Sequence, residues 1–231
     1  MDAPARNLAW LAKRHFGKIR LASFLLAASP ALWLGTEYGA GALGVNPLNR
    51  LLHFSGSWAL TLLLVTLAVT PVRRLSVWVA QAVHARYGKR VSDWNWLVRL
   101  RRQLGLFAFF YAACHLAIYV TLDAGLDGVV LREDLSERPF VLLGWAAFVL
   151  LLPLAATSNQ ASMRALGSAW RKLHLLSYPI AILALAHYWL QMKVGDSAPL
   201  PQSALLALLL AVRAQAWRRG ERGPGVEAKE R

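Results

Sequence analysis

Residues 103–122 read QLGLFAFFYAACHLAIYVTL, a run of twenty residues that contains no charged side chain. A transmembrane helix needs about 20 mainly apolar residues to cross the hydrocarbon core of a bilayer. Arg102 precedes the run and Asp123 follows it, as expected where a membrane helix meets water. We therefore predict that this segment crosses a membrane as a helix.

Further apolar runs of similar length predict a bundle of such helices. With the first run, they place six transmembrane helices at about residues 19–37, 51–71, 103–122, 139–156, 173–192 and 200–216. The composition agrees, since 57% of the 231 residues are hydrophobic and ten are tryptophan. We expect an all-α polytopic membrane protein with an N-terminal arm (1–18), a helical domain (19–216) and a disordered tail (217–231).

The positive charges predict the orientation of the helices. With a cytoplasmic N-terminus, 22 of the 26 Lys and Arg residues lie on the cytoplasmic side, where membrane proteins are enriched in them. Both termini are then cytoplasmic, and the first apolar run is an uncleaved span rather than a signal peptide. The net charge of +14 indicates contact with anionic lipid. Nucleic acid is not expected as a partner, because the basic residues are spread along the span ends.

The longest predicted cytoplasmic loop, residues 73–102, mixes basic residues with Trp78, Trp94 and Trp96. This pattern favours an amphipathic segment at the membrane surface. Alternatively, this loop is a binding site for an electron donor, a flavin or a quinone headgroup.

Some kinds of site are disfavoured by the residues that the chain lacks. The predicted span interiors contain no Asp or Glu, although proton-coupled transporters usually need such acids and zinc sites often do. Cys114 is the only cysteine, so no internal disulfide forms, and the chain has no CxxCH motif for covalent haem attachment.

Four of the six histidines lie in or at the ends of predicted spans, where ionisable residues are rare and usually functional. With a helical rise of about 1.5 Å per residue, His115 and His187 lie roughly 20 and 22 Å from the cytoplasmic ends of their helices. Two imidazoles at one depth on two helices can bind haem iron from opposite faces. His174 lies only roughly 3 Å deep, and His53 lies near the outer rim, roughly 8 Å beyond the level of His115.

His174 and His187 stand 13 positions apart, which on an ideal helix would aim them at different faces. Pro179 lies between them, so we expect a kink there that changes their relative direction.

This histidine pattern, with His115 on the third span, resembles the ferric-reductase-like transmembrane domain family. Four blocks that cover most of residues 46–192 narrow the resemblance to the haem-binding membrane subunits of periplasmic methionine sulfoxide reductase systems. The blocks are HFSGSWALTLLLVTLAVTPVRRL (53–75), RRQLGLFAFFYAACHLAIYV (101–120), ERPFVLLGWAAF (137–148) and ATSNQASMRALGSAWRKLHLLSYPIAILALAHYW (156–189).

The resemblance implies a bacterial inner-membrane cytochrome with one or two b-type haems and with FMN. It implies electron transfer from the quinone pool or a cytoplasmic flavin reductase to a periplasmic molybdopterin enzyme, which reduces methionine sulfoxide in oxidised proteins. The chain itself then performs no sulfoxide chemistry. The alternatives are a stand-alone ferric or quinone oxidoreductase, and a non-redox membrane protein whose histidines serve helix packing.

The resemblance also implies roles for individual residues. His115 and His187 match the outer pair of haem ligands, and His174 matches the inner histidine of the fifth span. Arg101 and Arg102 stand where the wider family has a second histidine on the third span, so a second haem would need another ligand or an open position. These arginines would instead pair with haem propionates or a flavin phosphate, or anchor the loop. His53 is expected at the outer rim, near a propionate or the partner.

Overall fold

The computed structural model describes residue 12 and residues 14–85, 87–192 and 199–218. These residues fold mainly into helices, with no β-strand among them. In chain order the α-helices are α1 (Phe16–Gly39), α2 (Pro47–Ala82), α3 (Asn95–Ile118), α4 (Gly128–Glu137), α5 (Pro139–Ala156), α6 (Gln160–Leu166), α7 (Ser168–Leu173), α8 (Ser177–Gln191) and α9 (Leu200–Arg218). The all-α prediction is confirmed. Most of the predicted arm (1–18) and tail (217–231) lies outside the described residues.

Five helical stretches within the described residues are long and apolar enough to cross a membrane. They are Phe16–Gly39, Pro47–Ala82, Val91–Asp123, Pro139–Ala156 and Ser168–Gln191, and each overlaps one of the first five predicted spans. A helix suits the bilayer interior because it bonds its own backbone N–H and C=O groups. α9 forms where the sixth span was predicted, but it does not reach the hydropathy of the other five. The count of six spans stays a prediction.

The core of the bundle lies between two helix pairs. α2 packs along α3, α5 packs along α8, and contacts from α2 to α8 and from α3 to α5 join the pairs. Small side chains make this close packing feasible, since Ala108 on α3 and Ala181 on α8 are 1% and 0% exposed. Leu64 and Ile180 fill the space around them. The four helices together form the frame that positions the histidines.

α2 is longer than the second predicted span. It passes Pro71 and ends at Ala82, so a helix occupies the first part of the segment 73–102 that we predicted as an interfacial loop. Near the turn to α3, the buried Arg73 donates from Nε to the carbonyl of Val91 (3.0 Å) and from Nη2 to Oδ1 of Asn95 (2.7 Å). These bonds tie the end of α2 to the start of α3.

The fifth predicted span is not one continuous α-helix. α7 ends at Leu173, a 3₁₀ turn covers His174–Leu176, and α8 begins at Ser177. Pro179 lies in the first turn of α8, where it has no N–H for the carbonyl four residues earlier and its ring crowds that carbonyl. A change of helix type therefore lies between His174 and Pro179, and the kink itself stays a prediction.

Tyr111 joins α3 to the backbone of α1. Its hydroxyl donates to the carbonyl of Ala27 (2.8 Å) and accepts from the N–H of Ala31 (3.0 Å). In a regular helix these two backbone groups would bond to each other. The hydroxyl lies between them beside Pro30, which is inside α1. α1 is thereby held against α3, one turn before His115.

We expect Tyr111→Phe to lower thermal stability while the helix content of the folded protein stays the same. The change removes the partner of the buried carbonyl of Ala27 and of the partly buried N–H of Ala31, and leaving a buried group without its partner costs about 1–3 kcal/mol. Thermal unfolding of the detergent-solubilised protein, followed by circular dichroism, measures the loss. Tyr38→Phe is the matched control, because Tyr38 is 61% exposed. Equal midpoints for the two variants would contradict this role of the Tyr111 hydroxyl.

Candidate functional site

A cavity of about 580 Å³ opens between the two helix pairs. Its walls come from α2, α3, α5 and α8, and most lining side chains are apolar. Three histidines line it: His53 from α2, His115 from α3 and His187 from α8. The sequence predicted His115 and His187 at one depth, and both reach this one cavity.

His115 lies against α2. Its ring nitrogen Nδ1 is 3.0 Å from the carbonyl oxygen of Leu52, to which it donates, and 3.4 Å from Oγ of Ser55. The close approach depends on Gly56, where an added Cβ would lie 3.2 Å from both Nδ1 and Cε1 of the ring. Because Nδ1 carries the proton, Nε2 of the neutral ring is free to bind a metal.

His187 makes the same kind of contact with α5. Its Nδ1 donates to the carbonyl oxygen of Phe140 at 2.6 Å. An added Cβ at Gly144 would lie 3.0 Å from Nδ1 and 3.1 Å from Cε1. The Phe140 ring packs beside the imidazole, with 6.0 Å between the ring centroids. Here too Nε2 is the nitrogen available for a ligand bond.

The two imidazoles lie close together across the cavity. Their ring centroids are 6.0 Å apart and their planes differ by 85°. A bond of about 2 Å from each Nε2 to one shared metal would place the centroids roughly 6 Å apart. The pair therefore fits a metal bound on two opposite faces, and the apolar cavity beside it fits the macrocycle of a haem. Of the alanines near the histidines, Ala112 and Ala184 line the cavity.

His53 lies on the wall of the same cavity, although sequence reasoning placed it beyond the level of His115. Its ring centroid is 6.2 Å from that of Tyr188, which also lines the cavity. Its contact with Tyr188 and its place in the cavity lining do not identify His53 as a metal ligand. Its position fits contact with the edge of a bound group.

The end of the cavity at the start of α2 and α5, which we call its mouth, carries a polar cluster that was not predicted from the sequence. Asp134 of α4 is 6% exposed and accepts a hydrogen bond from the hydroxyl of Tyr119 (2.7 Å). It also forms an ion pair with Arg138, with 3.1 Å between Oδ1 and Nε. Tyr119 and Arg138 line the cavity. The signal in the sequence was an acidic residue four positions before an arginine, the spacing of an ion pair on a helix.

His174 lies apart from this cavity. Its ring stacks on that of Trp170 with 3.9 Å between centroids, and its Nδ1 donates to the carbonyl of Trp170 (3.1 Å). Its Nε2 is buried and makes no hydrogen bond of good geometry among the described residues, although the backbone carbonyl of Leu154 lies near the ring. Arg101 is half-buried close to it, whereas Arg102 is exposed. Arg101 thus lies within electrostatic range of His174, and neither arginine lines the cavity that holds His115 and His187.

Comparison with known proteins identifies the family of the chain. Residues 55–185 match the family described as "Ferric reductase like transmembrane component". Three relatives carry the name "Protein-methionine-sulfoxide reductase heme-binding subunit MsrQ". The relative from Bordetella pertussis (strain Tohama I) is 44% identical over 91% of this chain and 96% of its own length. The one from Ralstonia nicotianae (strain GMI1000) is 40% identical over 89% of each chain. The one from Xanthomonas oryzae pv. oryzae (strain MAFF 311018) is 42% identical over 81% of this chain and 78% of its own.

No solved structure matches the chain. The match to the transmembrane family and the five long apolar helices make this a multi-pass membrane protein. The relatives cover most of the chain at 40–44% identity, and their name agrees with the resemblance seen in the histidine-containing blocks. The chain therefore belongs to the MsrQ family of ferric reductase like transmembrane proteins.

Proposed function

We propose that the protein is a b-type cytochrome subunit that carries electrons across the bacterial inner membrane to a periplasmic methionine sulfoxide reductase. The observation that carries this proposal is the pair His115 and His187, whose rings face one apolar cavity with centroids 6.0 Å apart. Membership of the MsrQ family supports it, because the relatives are named as haem-binding subunits of that reductase.

In this proposal His115 and His187 hold the haem iron through Nε2. A bound haem would supply one-electron redox chemistry, which the side chains of the cavity do not have. The carbonyls of Leu52 and Phe140 keep each ring in one tautomer and one orientation. The apolar walls exclude water from the site, and this lowers the local dielectric and favours the less charged redox state.

At the mouth, we propose that Arg138 and the rim residue His53 bind the haem propionates or contact the partner protein. Arg138 is the cationic side chain that lines the cavity, and it is 54% exposed, so it can reach a carboxylate without losing its water. Tyr119 and Asp134 hold the arginine at this edge. The haem would then lie with its polar edge toward the mouth.

At the other end, we propose that His174 and Arg101 form an inner site for electron entry. The buried Nε2 of His174 supports this role, because it makes no hydrogen bond of good geometry among the described residues and a ligand would satisfy it. A second haem there would have His174 as one ligand and would lack a second protein histidine. Arg101 and Arg102 suit an anionic group instead, such as a propionate or the phosphate of FMN.

The remaining features of the proposal come from the family resemblance and the charge pattern. The termini are cytoplasmic, residues 19–216 form the haem-binding domain, and the cavity faces the periplasm. The donor is a quinone or a cytoplasmic flavin reductase, and the acceptor is a periplasmic molybdopterin enzyme. The excess of Lys and Arg on one side of the spans supports this orientation.

Reconstitution tests the proposed electron path. The purified protein is placed in liposomes with a reduced quinone or a flavin reductase as donor, and the soluble methionine sulfoxide reductase is added outside. We expect sulfoxide reduction with the wild type and its loss with His187→Ala. The matched control, His15→Ala, changes an exposed histidine outside the cavity and should keep the rate.

The reconstitution also separates the alternatives. Rapid reduction of ferric chelates or quinone with no transfer to the sulfoxide reductase would favour a stand-alone oxidoreductase. Purified wild-type protein without a Soret band, after expression with ample haem, would contradict the proposal and favour a non-redox role.

A further inference from the structure

Gly56 and Gly144 pack against the Nδ1 side of the His115 and His187 rings. We propose that Gly56 and Gly144 are positioning residues. Each glycine leaves a gap on the surface of its helix, which we call a seat. One imidazole fits into this gap, and its Nε2 then points into the cavity. This inference rests on the proposed function, in which His115 and His187 bind haem iron. It assigns to these glycines a role in haem affinity and in the redox potential.

Each of the two glycines lies directly against the ring of one histidine. At Gly56, the three atoms nearest to an added Cβ are Cε1, Nδ1 and Cγ of His115, at 3.2, 3.2 and 3.8 Å. At Gly144 they are Nδ1, Cε1 and Cγ of His187, at 3.0, 3.1 and 3.6 Å. Any side chain at either position would meet the imidazole before it met anything else, and the ring would have to move away.

The carbonyl that each histidine uses belongs to the helical turn that ends at the glycine. Leu52 stands four residues before Gly56, and Phe140 stands four residues before Gly144. In an α-helix the N–H of a residue bonds to the carbonyl four positions earlier, so each imidazole shares its carbonyl with the N–H of the glycine it lies against. A Cβ at the glycine would press against the imidazole beside that carbonyl and push its Nδ1 away from the oxygen. Glycine therefore lets the histidine reach the acceptor that it uses.

The same combination of glycine, carbonyl and histidine occurs twice in the bundle. Two histidines on different helices, α3 and α8, use the same nitrogen, the same kind of acceptor and a glycine at the same spacing on α2 and α5. The other described glycines in the long helices lack such contacts. An added Cβ at Gly105 would have Thr66 Cγ2 at 3.8 Å, an ordinary contact, and one at Gly35 would have no atom within 4 Å.

The consequence for haem follows from the hydrogen bonds. An N–H on the far side of a ligating imidazole that donates to a carbonyl fixes the ring and raises the basicity of the ligating nitrogen. A more basic ligand stabilises ferric iron. A methyl group at the glycine pushes the ring back by a few tenths of an ångström and lengthens the bond to the carbonyl, so ferric haem should bind less tightly.

The first experiment compares Gly56→Ala and Gly144→Ala with Gly105→Ala. We expect the first two to retain haem about 10–100-fold less tightly, the usual effect of losing a partner behind a metal ligand. A tenfold loss that falls on the ferric state alone raises the midpoint potential by about 60 mV. Gly105→Ala should match the wild type in both measurements. Equal haem retention and potential for all three variants would overturn the inference.

The second experiment is a double-mutant cycle on haem-free protein. Because the atoms nearest to the new methyl group belong to His115, Gly56→Ala should lower the unfolding midpoint in the wild-type background and leave it unchanged in the His115→Ala background. The same holds for Gly144→Ala and His187→Ala. If Gly56→Ala alone does not fold, recovery of the fold by His115→Ala supports the seat. A loss that persists in the double variant would refute it.

The two experiments separate this inference from the proposed function. Suppose that the wild type binds haem, that His115→Ala loses it, and that both glycine variants behave like Gly105→Ala. The ligand assignment is then supported, and the positioning role of the glycines is contradicted. If His115→Ala keeps its haem, the proposed function fails, whatever the glycine variants show.

Discussion

Purified His187→Ala protein is expected to lack the reduced-minus-oxidised spectrum of a b-type haem. In the proposed site, removing the imidazole would take away one of the two axial bonds to the iron and the hydrogen bond from Nδ1 to the carbonyl of Phe140. Loss of a partner behind a ligand already costs about 10–100-fold in affinity, so loss of the ligand itself should cost more. His115→Ala should behave in the same way, because its ring is the other half of the pair.

The haem content per polypeptide, measured by pyridine haemochrome, checks this result. His15→Ala is the control, since His15 is exposed at the start of α1 and has no side-chain capping bond. Equal circular dichroism spectra show that the variants are folded. Full haem content and an unchanged spectrum in His187→Ala would contradict the ligand assignment.

Filling the cavity should remove haem without touching either ligand. Ala184 lies on α8, one turn before His187, and lines the cavity. In Ala184→Trp, the indole would occupy space that the macrocycle needs, and the cavity of about 580 Å³ gives it room without displacing the helices. We expect the protein to fold, to insert into the membrane and to retain at most a small fraction of the wild-type haem.

The matched control for Ala184→Trp is Ile182→Trp. Ile182 lies on the same helix but is 48% exposed on its outer side, where an indole would meet lipid. Haem content in membranes, measured against the amount of inserted protein, compares the two. Wild-type haem content in Ala184→Trp would show that haem binds elsewhere, even if the histidine variants lose it.

The helices could be predicted because the bilayer imposes length and apolar composition on each span. The segment Pro139–Ala156 begins and ends where the sequence predicted it, since charged or polar residues flank it on both sides. α4 was not predicted, because a short helix outside the membrane has no such requirement. The extension of α2 to Ala82 was missed because Arg73 and Arg74 resemble the end of a span.

The meeting of His115 and His187 could be predicted from depth alone, because helical rise is constant along a helix. The direction in which each ring points could not. It depends on the 3₁₀ turn at His174–Leu176 and on which helix faces which, and neither leaves a clear pattern in an apolar sequence. For the same reason Gly56 and Gly144 were not predicted, since a glycine in a membrane helix also serves ordinary close packing.

The most direct test of the account is the low-temperature EPR spectrum of the oxidised protein in a His174→Ala background, which removes the candidate ligand of any inner haem. We expect one low-spin ferric haem. Since the His115 and His187 planes differ by 85° and carbonyls hold both rings, its signal should be the highly anisotropic type given by perpendicular imidazoles. A high-spin signal, or a low-spin signal that survives His187→Ala, would contradict the claim that these two histidines hold one haem between them.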